Sequence, residues 1–191
     1  MKNRLRAFIA VRPGIKVLNQ IKKLEQKIKP ELSGVRWVRE EKIHITLKFL
    51  GDIKSSDIGN ICRVIESSTA DLTAFRLYCS NIGVFSDKRR PSVLWTGIGG
   101  DFKRFKDIEK RISLSLDKFD LLQGKGDFVP HLTIGRFKKG IIYRDISDTV
   151  SKFSSFISDD FVVDEIILFQ SKLSRMGVDH IPLFRCKIVH K

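Results

Sequence analysis

Alternation of apolar and polar positions predicts several strands, and one of them carries an unusual polar face. In IHITLKFL, residues 43–50, apolar side chains occupy every second position: Ile43, Ile45, Leu47 and Phe49. Because successive strand side chains point to opposite faces, the residues between them share the other face. These residues are His44, Thr46 and Lys48. A histidine and a threonine side by side on one strand face are candidates for chemistry.

Strands and amphipathic helices are mixed along the whole chain. Helices are predicted from Pro13 to Pro30, from Ser55 or Ser56 onward, after a cap at Asp101, and more weakly at 146–156. Strands are predicted at 5–11, 35–38, 43–50, 75–79, 82–85, 92–98, 129–137, 161–169 and 181–189, with a basic connector at 171–180. This mixture favours an α+β fold in which helices cover sheets.

The strand motif occurs twice. IHITLKF at 43–49 and PHLTIGRF at 130–137 share the order His, apolar, Thr, apolar, and the two histidines are 87 residues apart. With only four histidines and six threonines in the chain, two such matches by chance have odds of roughly one in a hundred. The repeat predicts two lobes within a single domain spanning 1–191, each lobe contributing one functional strand.

A pair of histidines suits the hydrolysis of a phosphodiester. That reaction needs a base that takes a proton from water and an acid that protonates the departing oxygen. Histidine can play either part near neutral pH. His44 and His131 are the candidates, while Thr46 and Thr133 place hydroxyl donors against the phosphate oxygens. Which histidine is the acid cannot be read from the pattern.

A metal centre is the weaker interpretation of these residues. Zinc sites usually take three or four closely spaced His, Cys or carboxylate ligands, and the chain has no HxxxH, HExxH or CxxC. His180 and His190 are distant in sequence, although folding can bring them close. We expect neither a metal nor another cofactor. Walker-type phosphate loops and serine nucleophile elbows are also missing from the sequence.

The net charge of the chain indicates a class of binding partner. The chain holds 36 Lys and Arg against 22 Asp and Glu, a net charge of +14. Such a field favours RNA, DNA or anionic membrane surfaces, with solubility as the alternative explanation. No apolar run approaches the roughly 20 residues that cross a bilayer. The scattered Cys62, Cys79 and Cys186 are typical of reduced thiols. We expect a cytoplasmic monomer without membrane contact.

Four segments together resemble the 2′-5′ RNA ligase and RNA 2′,3′-cyclic phosphodiesterase family of two-histidine phosphoesterases. They are RAFIAV near the start, WVREEKIHITLKFLG, RPSVLWTGI and FVPHLTIGR. The resemblance runs from about Arg6 to Phe184. It implies two pseudosymmetric lobes, each an antiparallel sheet flanked by helices, around a central cleft. It also implies hydrolysis of a terminal RNA 2′,3′-cyclic phosphate to a 2′-phosphate, with 2′-5′ joining as the reverse of related chemistry.

The resemblance places a phosphate-facing arginine at Arg136, but strict alternation puts this residue on the face opposite His131. Arg136 therefore needs a bulge, a strand end or its own reach to arrive at the site, and the alternative is a solvated strand end. The family often has Glu-Ser and a tyrosine where this chain has Gln170, Ser171 and His180. We expect His180 to be a surface loop residue, with stacking on a base or ribose as the alternative.

Several basic and aromatic side chains are secondary candidates. Lys48 shares the predicted face of His44, or lies beyond the cleft. The basic turn from Lys88 to Arg90 can hold RNA phosphates or be a solvated loop. Phe85 and Trp95 can stack on bases, although core packing is the default for strand residues of this kind.

We expect an RNA phosphoesterase that needs no metal, with His44 and His131 as acid and base and with Thr46, Thr133 and Arg136 on the phosphate. The RNA it acts on stays open between tRNA fragments, other cleaved ends and small cyclic nucleotides. Two alternatives remain: a non-catalytic module that binds RNA ends, and an enzyme whose main reaction is joining.

Overall fold

The computed structural model describes residues 4–87, 90–119, 121, 128–142, 146–174 and 177–189. Its strands are β1 (Arg4–Val11), β2 (Val35–Trp37), β3 (Ile45–Lys54), β4 (Phe75–Asp87), β5 (Arg90–Gly100), β6 (His131–Phe137), β7 (Phe161–Val163), β8 (Glu165–Ser174) and β9 (Gly177–Lys187). Its helices are α1 (Ile15–Ile28), α2 (Ile58–Thr69), α3 (Phe102–Asp117) and α4 (Ser147–Lys152). Short 3₁₀ turns at Glu40–Lys42 and Ser55–Asp57 precede β3 and α2.

In the part of the chain that the structure describes, the nine strands form two halves, one of five strands and one of four, that are joined through a single residue pair. The order of strands is β7-β4-β5-β6-β3-β1-β8-β9, with β2 also paired to β6. All strand pairs among the described residues are antiparallel. Between β3 and β6 only Ile45 and Leu132 are paired. The predicted α+β fold with two antiparallel lobes is therefore confirmed, and the lobes join at the two HxT strands.

The helices pack against one face of the sheet. α1 buries one stripe with helical spacing, made of Val17, Leu18, Ile21, Leu24 and Ile28. α2 and α3 bury similar stripes, and all of these belong to the same core as Ile9 and Val11 of β1. The alternate residues of β1 lie on the opposite face, where Phe8 and Ala10 form a second small cluster with Ile167 and Phe169 of β8. We call this second face of the sheet the cleft face.

The ends of several elements differ from the sequence prediction. α1 begins at Ile15 after an N-cap at Gly14, so Pro13 lies outside it. Asp101 occupies the N-cap position of α3, but its carboxylate accepts a hydrogen bond from the backbone N–H of Arg76 at 3.1 Å. The predicted connector at 171–180 is wrong, because β8 continues to Ser174 and β9 begins at Gly177.

The described helices include none that is long and apolar enough to cross a membrane. The three cysteines carry free thiols, as predicted, and Cys79 is buried.

Candidate active site

The two HxT motifs meet where the two lobes join. Ile45 and Leu132, the middle residues of the motifs, face each other across β3 and β6, and both are fully buried. Because the strands are antiparallel, His44 and Thr133 flank this pair on one side, and Thr46 and His131 flank it on the other. The histidines are thus diagonal neighbours across the junction. They are close enough for the charge of His131 to contribute to the pKa of His44, so one phosphate can contact both rings.

Both histidine rings are held by the same type of hydrogen bond. Nδ1 of His44 lies 2.7 Å from the carbonyl oxygen of Lys42, and Nδ1 of His131 lies 2.8 Å from the carbonyl oxygen of Val129. A carbonyl oxygen can only accept, so each Nδ1 must carry the hydrogen. Each neutral ring therefore presents a bare Nε2, which can take up a proton, or give one away once the ring is charged.

The pKa values of both histidines are lowered. Burial lowers the pKa of His44 from 6.5 to about 4, with smaller contributions from the charges of His180, Arg12 and His131 and an opposing one from the Lys42 carbonyl. Burial also lowers the pKa of His131, and the positive charge of Arg136 adds to that effect. Without a bound anion, both rings are neutral at pH 7.

Aromatic rings surround His44 on the cleft face. The centroid of its ring lies 4.8 Å from that of Phe8 and 6.5 Å from that of Phe169. His180 meets His44 edge-on, with the ring centroids 4.9 Å apart and the planes at 86°. The expectation that His180 lies in a surface loop is wrong, because the β8–β9 hairpin extends past it and pairs it with Ser171. The sequence signal for a hairpin is weak, since the connector has one glycine, Gly177, and no proline.

His131 has an aromatic neighbour of its own. Phe85 of β4 meets it edge-on at 4.8 Å, and Trp95 of β5 lies 5.2 Å from Phe85. Both aromatic residues are half-buried rather than part of the main core. Their default assignment to core packing is therefore wrong, and Phe85 lines the site beside His131.

A bulge in β6 brings Arg136 to the cleft face. Trp95 pairs with Thr133 and Leu94 pairs with Gly135, so Ile134 is an extra residue in β6. Arg136 then pairs with Val93, which lies on the same face of β5 as Trp95. Its side chain is exposed, and its charge lowers the pKa of both His131 and His180. Of the three routes by which Arg136 can reach the face of His131, the structure has the bulge.

A similar bulge in β3 overturns two other expectations. Ala10 pairs with Thr46 and Ile9 pairs with Lys48, so Leu47 is the extra residue. Lys48 consequently lies on the helix face, where its Nζ donates to Glu109 of α3 at 3.0 Å. Phe49 pairs with Phe8 on the cleft face and is 62% exposed instead of buried.

The basic turn can be placed only in part. Lys88 and Arg89 lie outside the described residues, and Arg90 is exposed at the start of β5. Within the described part of the chain, no three His, Cys, Asp or Glu side chains are grouped in a way that could hold a metal ion.

Comparison with known proteins finds phosphoesterases among the relatives of the chain. Residues 15–95 match the family model described as LigT like Phosphoesterase. The RNA 2′,3′-cyclic phosphodiesterase of Thermotoga maritima is 29% identical over 184 residues, which cover 96% of this chain and 95% of that protein. The chain is related to the LigT-like phosphoesterases. The RNA 2′,3′-cyclic phosphodiesterase of Aquifex aeolicus is 25% identical over 91% of this chain and 92% of that protein.

Solved structures share the fold of this chain. The Thermus thermophilus protein TT0787 superposes with a TM-score of 0.83 at 18% identity, covering 98% of this chain and 100% of that one. E. coli LigT, solved with 3′-AMP, superposes with a TM-score of 0.77 at 19% identity, covering 97% of this chain and 99% of that one. The resemblance drawn from the four sequence segments is confirmed by the family model and by the relatives from Thermotoga maritima and Aquifex aeolicus.

Burial of His44 predicts a loss of stability in mild acid. Its pKa is about 4 in the folded protein and 6.5 in the unfolded chain, so between these values the unfolded chain binds more protons. The free energy of unfolding should fall as pH drops from 6.5 towards 4, with His44 contributing about 3 kcal/mol of the loss. Urea unfolding at pH 7 and pH 4.5 should show a smaller loss for His44→Gln than for the wild type. Identical losses in the two proteins would contradict the burial of this imidazole.

Proposed function

We propose that the protein hydrolyses terminal 2′,3′-cyclic phosphates on RNA to 2′-phosphates by acid–base catalysis with His44 and His131. The observation that carries the proposal is the pair of equivalent hydrogen bonds from Nδ1 to a backbone carbonyl. They leave two Nε2 atoms free on diagonal neighbours of one sheet. The names of the relatives from Thermotoga maritima and Aquifex aeolicus support the choice of substrate.

The reaction uses each histidine for one proton transfer. Nε2 of one neutral ring takes a proton from water as the water oxygen bonds to phosphorus. Nε2 of the other, protonated ring gives its proton to the 3′ oxygen as the bond from phosphorus to that oxygen breaks. The product carries a 2′-phosphate and a 3′-hydroxyl. Because both rings are neutral in the free protein at pH 7, the negative charge of the bound phosphate must favour protonation of one of them.

Hydroxyl and guanidinium groups complete the site. Thr46 and Thr133 lie on the cleft face beside the two histidines, where their hydroxyl groups can donate to the non-bridging oxygens of the phosphate. Arg136 reaches the same face through the β6 bulge and supplies a permanent positive charge. We propose Arg136 as an additional phosphate contact.

The surroundings of the histidines suit the end of an RNA chain. Phe49 is 62% exposed on the cleft face close to Phe8, with the ring centroids 6.2 Å apart. An exposed ring at the edge of the site offers a surface on which a base can stack. The net charge of +14 favours the approach of a polyanion.

The experiment is incubation of the purified protein with an oligoribonucleotide that ends in a 2′,3′-cyclic phosphate, followed by ³¹P NMR of the product. We expect a terminal 2′-phosphate, formed at the same rate after exhaustive treatment with EDTA, because both proton-transfer groups are side chains. Activity that disappears with EDTA and returns with a divalent ion would contradict this mechanism. Binding of the RNA end without any turnover would support the alternative of a non-catalytic RNA-end-binding module.

A further inference from the structure

The β8–β9 hairpin is tied to the turn that precedes His44. Nζ of Lys42 donates to the carboxylate of Asp179 at 2.9 Å and to the backbone carbonyl of Val178 at 2.6 Å. The Lys42 side chain is 15% exposed, so the contact is sheltered although the Asp179 side chain is 45% exposed. The Lys42 ammonium holds the pKa of the Asp179 carboxyl below its usual range. The hairpin and the turn are thus linked by an ion pair and a hydrogen bond that share one ammonium group.

Lys42 also provides the backbone carbonyl that orients His44. Nδ1 of His44 donates to that carbonyl at 2.7 Å. Lys42 ends a 3₁₀ turn of only three residues, Glu40–Lys42, which lies outside the sheet. Two backbone hydrogen bonds close this turn, from the N–H of Lys42 to Arg39 at 2.8 Å and from the N–H of Ile43 to Glu40 at 3.1 Å, but both use carbonyl groups other than that of Lys42. The side chain of Lys42, anchored on β9, therefore fixes the position of the carbonyl that selects the tautomer of His44.

His180, which follows Asp179 in β9, packs directly against the imidazole of His44. The ring of His180 meets the ring of His44 edge-on at 4.9 Å and that of Phe8 edge-on at 5.0 Å. His180 is held in place by the hairpin, in which it pairs with Ser171. Two adjacent residues of β9 thus act on His44. Asp179 acts through the carbonyl of Lys42, and His180 acts by packing against the imidazole ring.

The other catalytic candidate is held differently. The carbonyl that accepts from Nδ1 of His131 belongs to Val129, whose side chain is 55% exposed. The carbonyl for His44 belongs to a residue that is anchored to another strand through a sheltered side chain. The two histidines make the same type of hydrogen bond, but the carbonyl that accepts it is therefore more firmly held for His44 than for His131.

We propose that Asp179 and His180 are positioning residues for His44, and this role rests on the function proposed above. Asp179 acts through Lys42 to keep Nδ1 of His44 protonated and Nε2 directed at the phosphate. His180 packs against the imidazole of His44 and so prevents its rotation. Neither side chain needs to touch the reacting atoms.

The ion pair is tested by comparing Asp179→Asn with Asp179→Glu and Asp71→Asn. Asp71 forms an exposed ion pair with Arg111, so Asp71→Asn removes one carboxylate and one ion pair away from the site. We expect Asp179→Asn to lower kcat by about 3- to 30-fold with little change in KM, because misplacement of a reacting group acts mainly on turnover. Asp179→Glu should recover most of the loss, and Asp71→Asn should have wild-type kcat.

A second measurement reads the His44 ring without any substrate. Long-range ¹H–¹⁵N correlation spectra distinguish the two neutral tautomers, and the His44 signals are assigned by their loss in His44→Gln. The wild type should show His44 protonated on Nδ1, whereas Asp179→Asn should show a mixture of tautomers. An unchanged tautomer together with unchanged kcat in Asp179→Asn would overturn the positioning role. An inactive wild type that still shows this tautomer shift would refute the proposed function and leave the positioning of His44 supported.

His180 is tested by two replacements that separate packing from chemistry. His180→Phe keeps an aromatic wall against His44, and we expect kcat within about threefold of the wild type. His180→Ala removes the wall, and we expect a loss of about tenfold in kcat together with a mixed His44 tautomer. Equal and large losses in both variants would mean that an imidazole nitrogen is required at this position, which would overturn a purely positioning role.

Discussion

Replacement of His44 or His131 by alanine is expected to lower kcat for a cyclic-phosphate RNA end by 10²- to 10⁴-fold, because each change removes one partner in proton transfer. The double replacement should cost less than the product of the two single losses, since residues that act as a unit are not additive. Single-turnover rates with an oligoribonucleotide ending in a 2′,3′-cyclic phosphate measure all three variants on one scale.

Two comparisons make this result specific to proton transfer. Thr46→Ala and Thr133→Ala remove one neutral hydrogen bond each, so we expect milder losses of about tenfold. Far-UV circular dichroism and urea unfolding at pH 7 show whether each variant is folded. A folded variant of either histidine that retained near-normal turnover would exclude that residue from catalysis, and the two-histidine mechanism would have to be abandoned.

The dependence of kcat/KM on pH is expected to be a bell that is displaced towards acid. This parameter reports the essential acid and base of the free enzyme, and the pKa values of His44 and His131 are both lowered there, that of His44 to about 4. At pH values above the upper of the two pKa values, kcat/KM should fall about tenfold per pH unit, because one ring must be protonated. Between pH 7 and pH 8, both above the ordinary histidine pKa of about 6.5, the expected loss is therefore close to tenfold.

The profile of kcat should lie at higher pH than that of kcat/KM. kcat reports the enzyme–substrate complex, in which the phosphate charge raises the pKa of the neighbouring imidazoles. The two limbs belong to the coupled pair rather than to single residues. Steady-state rates across pH 4–9 at constant ionic strength give both profiles. Bells that coincide, or a plateau of kcat/KM through pH 8, would contradict the burial of the histidines beside a phosphate site.

The HxT strands could be predicted because the alternation of apolar and polar residues is a local property of the sequence. Alternation placed Ile45 and Leu132 in the core and the polar residues of both motifs on one face, and the structure has this arrangement. The repeat predicted two lobes, and the two halves of the sheet meet at these two strands. Which strands pair across the junction depends on contacts between distant parts of the chain, and no local pattern records them.

Bulges limit how well the sequence predicts which face of the sheet a side chain occupies. One extra residue reverses the alternation beyond it, which places Lys48 on the helix face and both Phe49 and Arg136 on the cleft face. Each bulged strand has a glycine near the shift. Gly51, with φ 64°, adjoins a second register shift of β3 at Leu50, and a Cβ on Gly135 would lie 2.5 Å from a side-chain carbon of Val35. A glycine in a strand pattern signals a bulge only weakly, and it does not tell which residue is the extra one.

The sequence predicts a surface loop at His180 because its segment reads as a basic connector between two strands. The hairpin that carries it is stabilised by backbone pairing with β8 and by the contact of Asp179 with Lys42. That contact links residues 137 positions apart, so the surroundings of His180 were outside the reach of local sequence patterns.

The central claim is that water opens the cyclic phosphate and leaves the phosphate on the 2′ oxygen. It is tested most directly by carrying out the reaction in H₂¹⁸O with the wild type and with the His44→Ala and His131→Ala variants. Mass spectrometry of the product, with ³¹P NMR to locate the phosphate, should show one ¹⁸O atom in a terminal 2′-phosphate for the wild type and almost no product for the variants. A terminal 3′-phosphate, a product without ¹⁸O, or equal product from the variants would contradict this account.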